Sequence, residues 1–168
     1  MLGRLVGAVR RNHALEHGTV TIMLERLGAG TRMAGRAVSD GFYIYGNVPT
    51  DVLAASADEA LRRLQAGEDD LAVTPLCGTN IAVAGVLTSV AALATMGDGR
   101  QGGRLSRLPG ICIAAMLAVI AAQPLGALVQ KYVTTSPDLA GAEIVDIQRK
   151  AGGWIHKVRT AQHNGAAF

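Results

Sequence analysis

Residues 10–20, RRNHALEHGTV, place His13 and His17 four positions apart, with Glu16 directly before the second and Arg10 and Arg11 just upstream. On a helix, positions 13 and 17 lie one turn apart on a single face, and position 16 stands beside them. Two imidazoles so placed can reach one tetrahedral Zn²⁺, and a carboxylate between them can take a proton from water. In that reading His13 and His17 are metal ligands and Glu16 is the catalytic base. The same residues also suit a plain polar helix face supported by the two arginines, where Arg10 near Glu16 would blunt its basicity. Both readings stay open on the sequence.

The order His-x-x-Glu-His reverses the common zinc-protease motif and resembles the inverzincin signature of the insulinase-like peptidases. The resemblance implies zinc-dependent hydrolysis with a distant downstream glutamate as third ligand. By role, Glu143 in LAGAEIVDI corresponds. The likeness is confined to this motif, since insulinase-like enzymes are much longer soluble proteins with duplicated α+β domains, so it carries over metal chemistry and no substrate. Cys77 in PLCGTN competes as the third ligand, and Asp138 in TTSPDLAG reads more economically as a turn residue after Pro137. As plain structure, Glu143 is an exposed strand-start carboxylate and Cys77 a small buried residue at a helix start. His156 alternates with Trp154 and Val158 along a strand-like run, so it faces outward or packs, and His163 falls in the tail. A broader likeness covers most of the chain: NHALEH, CGTN and TTSPDLAGAEI together resemble a bacterial membrane-protein family of uncharacterised function, which implies a two-span layout.

Elements must hold these residues in place. Residues 3–27 carry apolar side chains at helical spacing and stop at Gly28. Residues 31–45 read as a hairpin turning at Asp40-Gly41. Ser56-x-x-Glu59 has the form of a capping box, opening a short helix that ends before Gly67. Residues 143–150 and 154–160 read as two strands about Ala151-Gly152-Gly153.

The chain has 168 residues and is 49% hydrophobic, yet only 17% charged, against about 25% in ordinary soluble domains. The missing charge is concentrated. Residues 71–97 and 108–130 contain no charged residue, and each run exceeds the roughly 20 helical residues that cross a bilayer. The expected fold is therefore an α+β membrane protein: a transmembrane hairpin, residues 76–131 with spans at 80–96 and 109–130, inserted in a discontinuous α+β domain formed by residues 1–75 and 132–168. Both spans are rich in small residues, which allow close helix packing in lipid, on each other or on a homo-oligomeric or membrane-protein partner. Pro124 lies inside the second span.

The apolar start of the chain is interrupted at Arg10 and Arg11 and has no small-residue cleavage site, unlike a secretory signal. Cys77 and Cys112 form no disulfide framework. Orientation signals conflict, because Arg100, Arg104 and Arg107 occupy the connecting loop, while eight arginines precede the first span. Basic segments translocate poorly, so cytoplasmic termini in a bacterial inner membrane are the favoured arrangement. The net charge of +3 suits an anionic lipid surface, and no aromatic-basic interleaving suggests nucleic acid. Two functions follow: a small membrane-anchored zinc hydrolase of peptidase type, or a non-catalytic membrane subunit or scaffold.

Overall fold

A computed structural model describes residues 2–96, 107–150 and 152–162. They form two compact units, residues 1–74 with 131–168, and residues 75–130. The fold is mixed α+β, with four α-helices and one small antiparallel sheet.

The first unit is built around α1, Leu2–Leu27, whose middle turns bury Ala14, Leu15, Ile22 and Met23. It stops at Gly28, where φ is +93°, a conformation costly for any residue with a Cβ. The hairpin of β1, Ala34–Val38, and β2, Gly41–Tyr45, pairs Val38 with Gly41. Gly41 is needed twice over: its φ is +135°, and an added Cβ would stand 2.0 Å from the Val158 carbonyl oxygen. Alternation along β2 turns Phe42 and Ile44 into the core and Tyr43 outward.

The next helix, α2, spans Thr50–Gln65, earlier than a capping box at Ser56 predicts. Pro49 presets the backbone for helix entry, and Leu53, Ala57, Ala60 and Leu64 then continue one buried stripe. Ser56 lies inside that helix, buried, and its Oγ accepts a hydrogen bond from Arg26 Nη1 at 3.2 Å. Gly18 of α1 permits close approach to α2, since a Cβ there would stand 3.1 Å from Ala60 Cβ.

The strands β3, Ala142–Arg149, and β4, Ile155–Gln162, complete a sheet of order β1-β2-β4-β3. The C-terminal β4 thus pairs directly with the N-terminal β2, Phe42 opposite Val158 and Ile44 opposite His156. Asn12 ties α1 to this sheet: its Nδ2 donates to Val38 O at 2.8 Å and its Oδ1 accepts from Thr160 Oγ1 at 2.7 Å. His156 packs inward, fully buried, within 3.0 Å of Thr50 Oγ1. Its neighbour Lys157, on the opposite face of the sheet and also buried, donates to Asp40 Oδ1 at 2.7 Å and lies 4.4 Å over the Tyr43 ring. This bond, with the Lys157 charge, lowers the Asp40 pKa. Ala151, within the anticipated strand turn, and His163 lie outside the described residues.

The second unit holds α3, Gly78–Met96, and α4, Leu108–Val129, both long and apolar enough to cross a membrane. They start slightly earlier than the spans anticipated at 80 and 109, because helical bonding already runs from Asn80 N to Cys77 O and Pro109 suits the first turn of α4. Their base is closed by polar groups. Gln130 Nε2 donates to Asn80 Oδ1 at 2.8 Å, and Asn80 Nδ2 donates to Pro75 O at 2.9 Å. Gly126 makes room for this pair, since a Cβ on it would lie 2.1 Å from Asn80 Oδ1. Thr88, Ser89 and Thr95 return their hydroxyls to carbonyls one turn back, at 2.7–2.8 Å, so these groups need no water. Large apolar side chains including Ile81, Val86, Leu93, Ile113, Leu117 and Ile120 point out of the unit. Arg100 and Arg104 of the connecting loop lie outside the described residues.

Candidate metal centre

The middle of α1 brings His13 and His17 together, their ring centroids 4.3 Å apart and their planes at 61°. Each ring is held by a backbone carbonyl from a different segment of the first unit. His13 Nδ1 lies 3.0 Å from Thr134 O, and His17 Nδ1 lies 2.8 Å from Ala72 O. A carbonyl can only accept, so both contacts assign the proton of the neutral ring to Nδ1 and make Nε2 the lone-pair nitrogen. Carbonyl-held imidazoles of this kind are the usual outer support of metal-ligating histidines.

Both Nε2 atoms face the same carboxylate. Glu16 Oε2 is 3.9 Å from His13 Nε2 and 3.8 Å from His17 Nε2. Glu16 and His17 are buried, while His13 is partly exposed. The carboxylate lies against β1 where Gly35 has no side chain: a Cβ there would meet Glu16 Oε1 at 1.6 Å. Glu16 is therefore packed in place by the edge strand, and a side chain at position 35 would have to expel it.

The supporting carbonyls are themselves anchored. Ala72 closes the short 3₁₀ turn Asp69–Ala72. Thr134 ends a π-type turn, Gln130–Thr134, which Arg10 fastens to α1 by donating to Tyr132 O at 3.0 Å and to Thr135 O at 2.9 Å. Spacing along the chain places Arg10 near Glu16, but its guanidinium serves these carbonyls instead. Ser136 N in turn donates to Arg10 O at 3.0 Å. The carbonyls themselves have no side-chain signature, which is why sequence reasoning missed them. Gly35 left a faint signal, since a lone glycine within a strand pattern often marks close approach by another group.

His13 and His17 together offer two metal-ligating nitrogens within the first unit. Cys77 belongs to the second unit, where it is buried and its sulfur accepts the Thr79 backbone N–H at 3.4 Å. Glu143 lies on the exposed side of edge strand β3, paired in register with Ala161. Asp138 is exposed and takes the turn role, its Oδ1 accepting Ala140 N at 3.3 Å. Cys112 is exposed on α4.

A family model described as a domain of unknown function (DUF6391) matches residues 8–147. An uncharacterized protein of the cyanobacterium Picosynechococcus sp. (strain ATCC 27264 / PCC 7002 / PR-6) is 35% identical over 169 residues, covering 90% of this chain and 78% of that relative. No solved structure matches the chain.

Proposed function

Because the chain belongs to the DUF6391 family, an uncharacterised bacterial family that assigns it no activity, we propose from its own geometry that it is a membrane-anchored zinc hydrolase of peptidase type. The observation that carries this reading is the pair of Nδ1-anchored imidazoles whose Nε2 atoms face one buried carboxylate. His13 and His17 would hold the metal, with Glu143 as the third donor and Cys77 as the competing one. A bound zinc would supply Lewis acidity. Glu16 would serve as general base, held by Gly35 of β1 rather than by solvent.

The membrane half of the reading is supported by α3 and α4, which turn large aliphatic side chains outward instead of burying them. Tyr132 and Lys131 follow α4 directly, a pairing suited to a membrane interface. An even number of crossings leaves both chain ends on one side. We assign that side to the cytoplasm of a bacterial inner membrane, on the eight arginines ahead of α3.

Elemental analysis of protein purified in detergent without chelators tests the site. Near-stoichiometric zinc is expected, lost in His13→Ala and in His17→Ala, because two remaining donors bind too weakly. Cys77→Ala and Glu143→Ala then identify the third ligand by which of them costs metal. Glu16→Gln should keep zinc and lower hydrolysis by about 10² to 10⁴, the usual worth of a general base. Wild-type protein with under a tenth of an equivalent of metal, and histidine variants of unchanged stability, would overturn the reading. The outcome would then favour a non-catalytic membrane subunit, for which the close α3–α4 packing at Gly126 and Asn80 is the supporting observation.

A further inference from the structure

On α1, just ahead of the histidines, Ala8, Arg11 and Asn12 share a face, and they line a cavity of about 70 Å³ completed by Ser39, Thr160 and Gln162 among others. The cavity lies wholly in the first unit. Its polar atoms are unevenly committed. Asn12 is saturated by Val38 O and Thr160 Oγ1, whereas Arg11 Nε is buried with no hydrogen-bond partner among the described residues. The guanidinium lies along its own helix, so that a Cβ on Gly7 would stand 3.4 Å from Arg11 Nη1. Among the described residues no carboxylate lines the cavity. Asp40, next to Ser39 in sequence, is engaged by Lys157 at 2.7 Å.

A buried guanidinium nitrogen without an acceptor is costly. Arginine's fixed fork of donors matches a phosphate oxyanion, and hydroxyl and amide donors complete such a site. At about 70 Å³ the cavity has several times the roughly 10–15 Å³ that a single water needs on the same measure, room for a small oxyanion. We propose that this cavity binds a phosphate group, with Arg11 as the charge partner and Ser39 and Gln162 as supporting donors. The same helix also indicates the source. Leu2 and Leu5 continue the Ala8 stripe toward the N-terminus at three-residue spacing, and both are exposed, as is Val6. Apolar side chains one turn beyond an arginine-lined phosphate pocket suit the acyl chains and head-group phosphate of an anionic lipid. The lipid half of this inference rests on the membrane reading above; the phosphate half does not.

The test uses the full chain in detergent micelles, with the thermal unfolding midpoint as the readout. Phosphatidylglycerol mixed into the micelles, and separately inorganic phosphate against chloride at matched ionic strength, should each raise the midpoint. Diacylglycerol, which lacks the phosphate, should not. Arg11→Gln should need at least about tenfold more of either phosphate probe for the same rise, in line with loss of a charge-assisted hydrogen bond. Ser39→Asp, an exposed turn position, should do the same with Arg11 intact, and it decides the matter if Arg11→Gln fails to fold. A rise with inorganic phosphate alone supports the pocket and overturns the lipid source. No rise with either probe, an equal rise with diacylglycerol, or a rise unchanged in both variants overturns the proposal.

Discussion

Two buried histidines of the first unit do opposite things with their ring nitrogens. His17 has Nδ1 on a carbonyl and Nε2 beside Glu16, so both nitrogens face polar atoms. His156 has only Thr50 Oγ1 on Nε2, and its Nδ1 is buried with no partner among the described residues. Burial, and then the charge of Arg149, lower the His156 pKa below its ordinary 6.5. The folded chain therefore holds a neutral His156 at a pH where the unfolded chain begins to take up a proton. Its contribution is absent above the unfolded value and becomes destabilising as pH falls below about 6.5 toward the lower folded value. His156→Leu keeps the burial and removes the titration. Between pH 7 and 5 the wild-type denaturation midpoint should fall more steeply than that of the variant; parallel curves would refute this. A second prediction belongs to Gly35. Gly35→Ala should expel the Glu16 carboxylate from its bed on β1 and lower hydrolysis as Glu16→Gln does, while His13 and His17 keep their carbonyl anchors and any zinc. Zinc content and activity measured together check this, and loss of both would show that Glu16 is structural for the metal site.

At the scale of elements, the described sheet interleaves distant parts of the chain. β4 fills the place beside β2, and β3 forms the far edge, so the apolar face of Phe42 and Ile44 is completed by Val158 from the C-terminal segment. Gln65 at the end of α2 bonds Leu139 O at 3.1 Å and Ala142 O at 2.9 Å, adding a second tie. We propose that residues 1–75 do not fold without residues 132–168. Removing residues 143–168 takes away both strands, leaving the β2 edge unpaired and the buried faces of Phe42 and Ile44 open, a surface prone to aggregation. The truncated protein should be insoluble or protease-sensitive. A folded, monomeric N-terminal fragment by circular dichroism and sedimentation would contradict this. The strands were legible from alternation and glycine turns, because those signals are local. Their order was not, since the pairing of β2 with β4 joins residues more than a hundred positions apart. The capping pattern at Ser56 does not open α2, because it is a local signal that a buried stripe beginning at Leu53 overrides.

For the whole molecule, the two uncharged helices decide the compartment we propose. The protein should pellet with membranes and resist carbonate extraction, and a reporter fused after Phe168 should behave as cytoplasmic. A periplasm-active fusion would reverse the topology and give the loop arginines the greater weight. Recovery as a soluble monomer without detergent would end the membrane reading, while leaving the His13, Glu16 and His17 geometry of the first unit untouched.

From the sequence alone come the features that depend on neighbours along the chain: one long helix with His13 and His17 on a shared face, two uncharged helices, a tight hairpin closing at Gly41, and two C-terminal strands. Helical and strand periods are short-range, so a dozen residues suffice to reveal them. Tertiary structure alone decides what those features meet. The acceptors that orient the imidazoles are backbone carbonyls of Ala72 and Thr134, and every residue except for its context has one, so no letter of the sequence marks them. The bed of Glu16 is the absence of a side chain at Gly35. The inward turn of His156 follows from its register opposite Ile44, which is set only when strands from the two ends of the chain come together, because the alternation along β4 places His156 with Val158 on one face but does not by itself say that this face meets the core.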